Sequence, residues 1–126
     1  MTNDQSTDLK KLIQQASQGN VLAQYNLGVM YASGLGVPQD DFQAVKWFRL
    51  ATNQGLVDTQ FYLGAAYDNG EGVPQDYAQA HMWFNLAAAQ GDAGGKKNRD
   101  LAAGMMTPQQ IAQAQELARN WKPKKK

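Results

Sequence analysis

Gly34-Leu35-Gly36-Val37-Pro38-Gln39-Asp40 returns 36 residues later as Gly70-Glu71-Gly72-Val73-Pro74-Gln75-Asp76. The repetition runs outward in both directions. Upstream, Leu27-Gly28 and Tyr31 recur as Leu63-Gly64 and Tyr67; downstream, Ala44, Trp47-Phe48 and Leu50-Ala51 recur as Ala80, Trp83-Phe84 and Leu86-Ala87. A fixed period of this size is the signature of stacked supersecondary units, none of which can bury its apolar face alone. Such arrays hold partners along an extended surface and do not wall off a catalytic pocket.

Each unit reads as a leading helix, a loop and a trailing helix. The spacing predicts leading helices over residues 20–32 and 56–68, and trailing helices over 41–53 and 77–89. In the trailing helix, Ala44, Trp47, Phe48 and Ala51 fall at i, i+3, i+4 and i+7, and Ala80, Trp83, Phe84 and Ala87 repeat that stripe. This is one face of an amphipathic helix. Ala23, Leu27 and Tyr31 give the leading helix a similar stripe. Gly28 and Gly64 sit inside it, where glycine costs about 1 kcal/mol relative to alanine, so a large side chain is expected to press on bare backbone there. The loop glycines suit a helix end and a chain reversal. Asp40 and Asp76 are placed as N-caps, with Gln43 and Gln79 at capping-box spacing.

The ends depart from the period, as caps do. Residues 7–18 read as a lone capping helix with Leu9, Leu12, Ile13 and Ala16 on one face. Units follow at 19–54 and 55–90. A divergent third unit covers 91–121. Gly94 and Gly95 weaken its leading helix, and Thr107, Pro108 and Gln110 make a strong start for its trailing helix. Residues 1–121 are thus one all-α domain of about seven helices, followed by a basic tail at 122–126.

Composition narrows the function classes. The chain has 126 residues, no cysteine and a formal net charge of +1. There is no disulfide framework and no thiolate metal site. Lys122, Lys124, Lys125 and Lys126 hold four of the positive charges, so the body before them is near −3. That argues against a nucleic-acid-binding face. No apolar run approaches the ~20 residues of a membrane span, and residues 1–5 are polar, unlike a signal core. As written, the chain reads as cytoplasmic; removal of a signal peptide would make it periplasmic.

These residues resemble the Sel-one-like repeat family, a relative of the tetratricopeptide repeat. Its pattern is Ala-x-x-x-Leu-Gly-x-x-Tyr, then Gly-x-Gly-Val-x-x-Asp, then Ala-x-x-Trp, closed by Ala-x-x-x-Gly. Ala23, Leu27, Gly28, Tyr31, Gly34, Gly36, Val37, Asp40, Ala44, Trp47, Ala51 and Gly55 fit in register. The second unit fits from Leu63 to Gly91, with Thr59 in place of the first alanine. The resemblance implies a right-handed α/α superhelix and a role in protein–protein interaction. It names no particular partner.

Catalytic readings find little support. His81 is the lone histidine, too few for a metal site of three or four convergent ligands. Its counterpart in the first unit is Val45, which marks a variable position and suggests a solvated or half-buried ring. None of Ser6, Ser17 and Ser33 lies in a nucleophile elbow. The Gly-x-Gly loops follow helices and lack the Gly-Lys-Ser/Thr of a phosphate cradle. Catalytic, metal and cofactor residues are therefore expected to be none, and Trp47 and Trp83 are expected in the core.

Recognition residues are expected where the units differ along the leading helix. Leu22, Asn26, Met30 and Ser33 correspond to Asp58, Tyr62, Ala66 and Asn69, and the family resemblance places this helix on the concave side. Leu22 and Met30 serve equally as packing between units. The expected function is an adaptor that binds a peptide or protein on that surface, as a monomer, without nucleic acid or an integral membrane segment. The alternative is a non-catalytic regulator or anchor of an envelope enzyme.

Overall fold

The computed structural model describes residues 3–123; Lys124, Lys125 and Lys126 of the basic tail lie outside the described residues. Those described form seven α-helices and no strand: α1 (Asn3–Ser17), α2 (Val21–Ser33), α3 (Asp41–Asn53), α4 (Asp58–Asn69), α5 (Tyr77–Ala89), α6 (Ala93–Ala103) and α7 (Pro108–Asn120). Sequential neighbours pack from α1 through α6, the order of a helical solenoid.

The trailing helices begin where the aspartates stand. Asp40 and Asp76 are extended, and their carboxylates accept from the Gln43 amide at 3.1 Å and from the Ala78 and Gln79 amides at 3.0 and 3.2 Å. A cap of this kind contributes about 1 kcal/mol. A complete capping box, with both arms closed, forms between Thr107 and Gln110 at the start of α7. α2 and α4 end at Gly34 and Gly70, whose amides return to the Met30 and Ala66 carbonyls.

The glycines inside α2 and α4 mark the closest approach within each unit. A methyl group on Gly28 would lie 2.5 Å from the Phe48 ring, and one on Gly64 would lie 2.6 Å from that of Phe84. Bare backbone lets the rings in, and the packing they gain offsets the helix propensity lost. Leu27, Leu63, Phe84 and Ala87 are sealed, and Trp47 and Trp83 are buried as the helical stripe requires.

Polar joints tie the units together. Thr59, which stands where the pattern has alanine, shares a buried hydroxyl–hydroxyl bond with Thr52 of α3 and donates to the Leu56 carbonyl at 2.8 Å. This bond lies beside the start of α4, whose N-cap Val57 offers no side-chain acceptor. Gln54 donates to the Gly19 carbonyl and to Gln24, and Gln24 donates to the Ala16 carbonyl, linking α1, α2 and the end of α3.

In the third unit the helix that contains Gly94 and Gly95 is formed: Asp92 caps α6 by accepting from the Gly95 amide at 3.0 Å. A methyl on Gly95 would fall 2.9 Å from the Phe84 carbonyl and 3.0 Å from Ala87, so glycine there brings α6 tightly onto α5. α7 then leans on α5 and makes little contact with α6. Trp121 meets Trp83 edge-on, with centroids 5.5 Å apart.

Candidate functional site

The expected recognition residues lie on two leading helices, α2 and α4, and they divide by burial. Leu22, Asn26 and Ser33 of α2 are exposed, as are Asp58 and Asn69 of α4. Met30 is half-buried against the core formed by Ala16, Leu27 and Trp47. Ala66 is 7% exposed and belongs to the core, so its methyl group packs between units. The Ser33 hydroxyl donates back to its own helix at Val29, 2.8 Å away, which leaves it an acceptor for an incoming group.

Tyr62 is the hinge of this surface. Its ring stacks on Phe48 of the preceding unit at 4.7 Å and 12°, yet 38% of the residue stays in solvent. Tyr25 meets it edge-on at 6.2 Å. Burial, reinforced by the neighbouring Tyr62 and by the Asp58 carboxylate, pushes the Tyr25 phenol above its ordinary value. Tyr25, Tyr62, Asn26 and Asp58 therefore present aromatic edges beside polar and acidic groups. Tyr25 was missed in the sequence, although its counterpart Phe61 is also aromatic and the pair obeys the period. A small cleft of about 90 Å³ opens beside Tyr62, lined in part by Ala44, Ala65 and Glu71.

His81 does not sit where variability suggested. It is 3% exposed, and its Nδ1 has no partner among the described residues. Val45, its counterpart, is buried too; the position varies in identity while remaining interior. Burial first, then the Arg99 guanidinium, lowers the imidazole pKa, and Asp100 opposes this. The folded protein thus favours neutral His81. Stability is expected to be complete above the unfolded-state value of about 6.5. It should fall as pH drops below that value and level off once the depressed folded value is passed, because the unfolded chain binds more protons across this window. Urea melts of the wild type and His81→Gln between pH 7.5 and 5 check this: the variant should lose part of the acid slope.

No group of three or more His, Asp or Glu is placed to hold a metal ion among the described residues. No helix there is long and apolar enough to cross a membrane.

The comparisons agree with this geometry. The Sel1 repeat model matches residues 21–56 and 57–92, and the chain belongs to the Sel1 repeat family. A crystal structure of a protective antigen from uropathogenic Escherichia coli strains, described as displaying an SLR fold, is 37% identical with a TM-score of 0.82. The match covers 87% of this chain and 24% of that one. A Sel1 repeat protein from Oxalobacter formigenes is 41% identical with a TM-score of 0.62, over 66% of this chain and 63% of the other. The chain thus spans less than two thirds of either structure. No curated protein matches it at a significant level. Sel1 repeats are generally scaffolds for protein–protein interaction.

Proposed function

We propose that this chain is a non-catalytic scaffold that binds a peptide or protein segment along the leading-helix face of α2 and α4. One observation carries the reading. The core residues Leu27, Ala44, Trp47, Phe48 and Ala51 repeat as Leu63, Ala80, Trp83, Phe84 and Ala87, whereas the exposed column changes from Leu22, Asn26 and Ser33 to Asp58, Tyr62 and Asn69. A surface that varies over a constant core can acquire specificity without loss of the fold. The Tyr25–Tyr62 pair supplies the amphipathic aromatic area that anchors many interfaces.

The test begins with capture of partners from native lysate on the immobilised protein and their identification by mass spectrometry. A captured partner is then titrated against Asn26→Arg/Asn69→Arg. Both side chains are exposed, so the melting transition should stay within about 0.5 kcal/mol of wild type. Tyr62→Ala is a poorer probe, because it also removes the stack on Phe48. Affinity should fall about tenfold or more in the double variant and hold in Gln113→Arg on α7. Loss in the α7 variant with none in the double variant would reject the leading-helix face. A hydrolase or transferase among the captured proteins would specify the scaffold as an enzyme regulator.

A further inference from the structure

A second surface lies on the trailing helix of the first unit. Phe42, Val45, Leu50 and Val73 line an apolar groove of about 320 Å³ together with Lys46 and Arg49. Phe42 is 66% exposed and Leu50 39%, an unusual outlay of large apolar side chains on one helix face.

The same face one repeat later is covered. Adding 36 to Phe42, Lys46 and Leu50 gives Ala78, Met82 and Leu86 of α5. Met82 is 5% exposed, and it shares a core with Ala118 of α7 and Trp121 just beyond that helix. α7 packs on α5 at Met82, the position equivalent to the exposed Lys46 of α3. The molecule itself thus demonstrates that the outer face of a trailing helix accepts another helix.

Charge narrows the occupant. Lys46 and Arg49 have no carboxylate within ion-pair distance among the described residues. Arg49 is instead held by the Tyr67 hydroxyl at 2.8 Å, and Lys46 lies over the Trp47 ring. No acidic residue lines the groove; Asp41 and Glu71 line the smaller cleft beside Tyr62. An apolar trough bordered by two cations without carboxylate partners is complementary to apolar anchors flanked by carboxylates.

We propose that the α3 groove is a docking site for an amphipathic helix presented by an acidic partner protein. This site is separate from the leading-helix face. The occupant lies across α3 much as α7 lies across α5, with its apolar stripe against Phe42 and Leu50 and its glutamates or aspartates facing Lys46 and Arg49. Recognition of this kind reads anchors at i, i+3, i+4 and i+7.

Three labelled synthetic peptides of about 15 residues test it, following the spacing of helix-in-groove anchors. One is an amphipathic helix with a Leu/Phe stripe flanked by Glu. The second replaces each Glu with Lys, and the third scrambles the first so that the stripe is lost. In fluorescence anisotropy the acidic helix should saturate at one per chain, and the other two should bind at least about tenfold more weakly. Lys46→Glu and Phe42→Ser should each weaken the acidic peptide about tenfold, with circular dichroism and melting confirming the fold. Lys46→Ala is the milder variant if Lys46→Glu fails to fold. Asn26→Arg/Asn69→Arg should leave peptide binding unchanged, so the two surfaces stand or fall separately. Equal binding of the lysine or scrambled peptide, or indifference to the Lys46 variants, overturns the proposal. So does concentration-dependent dimerisation in sedimentation velocity that Phe42→Ser abolishes, because a second copy would then be the occupant.

Discussion

Replacing Trp83 with alanine is expected to cost about 3–5 kcal/mol in urea-induced unfolding. Trp83 is 4% exposed, sits in a core with Phe48, Leu63 and Met82, and receives the edge of Trp121. Its removal opens a void where α4, α5 and the end of α7 meet, and that void cannot collapse without moving three helices. Part of the loss is electrostatic, since edge-to-face aromatic pairs add about 0.5–1.5 kcal/mol beyond burial. One feature softens the effect: the indole Nε1 is buried without a partner among the described residues, so the side chain already carries a desolvation penalty. A loss below about 1 kcal/mol would place the tryptophan outside the core, where surface substitutions usually fall.

Gly72→Ala should be nearly as damaging for a different reason. Gly72 has φ +78°, and a methyl group there would run into the Asp41 carbonyl and the Phe42 amide. A left-handed conformation costs a non-glycine residue about 1–2 kcal/mol. Forcing an atom against backbone adds about 1–3 kcal/mol, because neither side can rotate away. Gly55→Ala isolates the first contribution, since Gly55 has φ +95° and, beyond its chain neighbours, nothing among the described residues within 4 Å of the added atom. Paired urea melts should therefore show Gly72→Ala losing roughly twice as much as Gly55→Ala. Equal losses would mean that the loop moves off α3 freely.

Much of this architecture was legible from residues. The trailing helices begin and end where the periodicity placed them, because an aspartate cap fixes one end and the apolar stripe fixes the face. Gly28 and Gly64 were readable as contact points because a helix tolerates glycine at regular spacing only when something fills the gap. The failures share a cause: a period reports which positions are equivalent and not how deep they lie. His81 and Ala66 differ from their counterparts, Val45 and Met30, yet both lie in the core, so difference between units does not mean freedom from it. Val45 was the overlooked signal, since an apolar residue at the equivalent place argues for burial. The seat of α7 on α5 left one trace, Met82 where the first unit has Lys46. It joins helices whose contact has no comparable counterpart between α3 and α5, so no repetition could announce it. Exposure on α2 and α4 was legible for Asn26, Tyr62 and Asn69 and stood open for Leu22; the tyrosine stack was not legible, because it depends on how one unit rotates over the next.

The three junction glycines carry a further consequence. Gly19, Gly55 and Gly91 recur every 36 residues with φ of 100°, 95° and 95°, and among the described residues nothing beyond their chain neighbours comes within 4 Å of an added methyl. Each stands at a corner ahead of a leading helix, in the same left-handed conformation. A segment cut from one such corner to the next is a cassette that carries both of its mating faces. Length in this kind of molecule is therefore an inheritable variable in its own right: genetic duplication or deletion of whole cassettes alters how far the surface reaches and leaves the fit within each unit as it was.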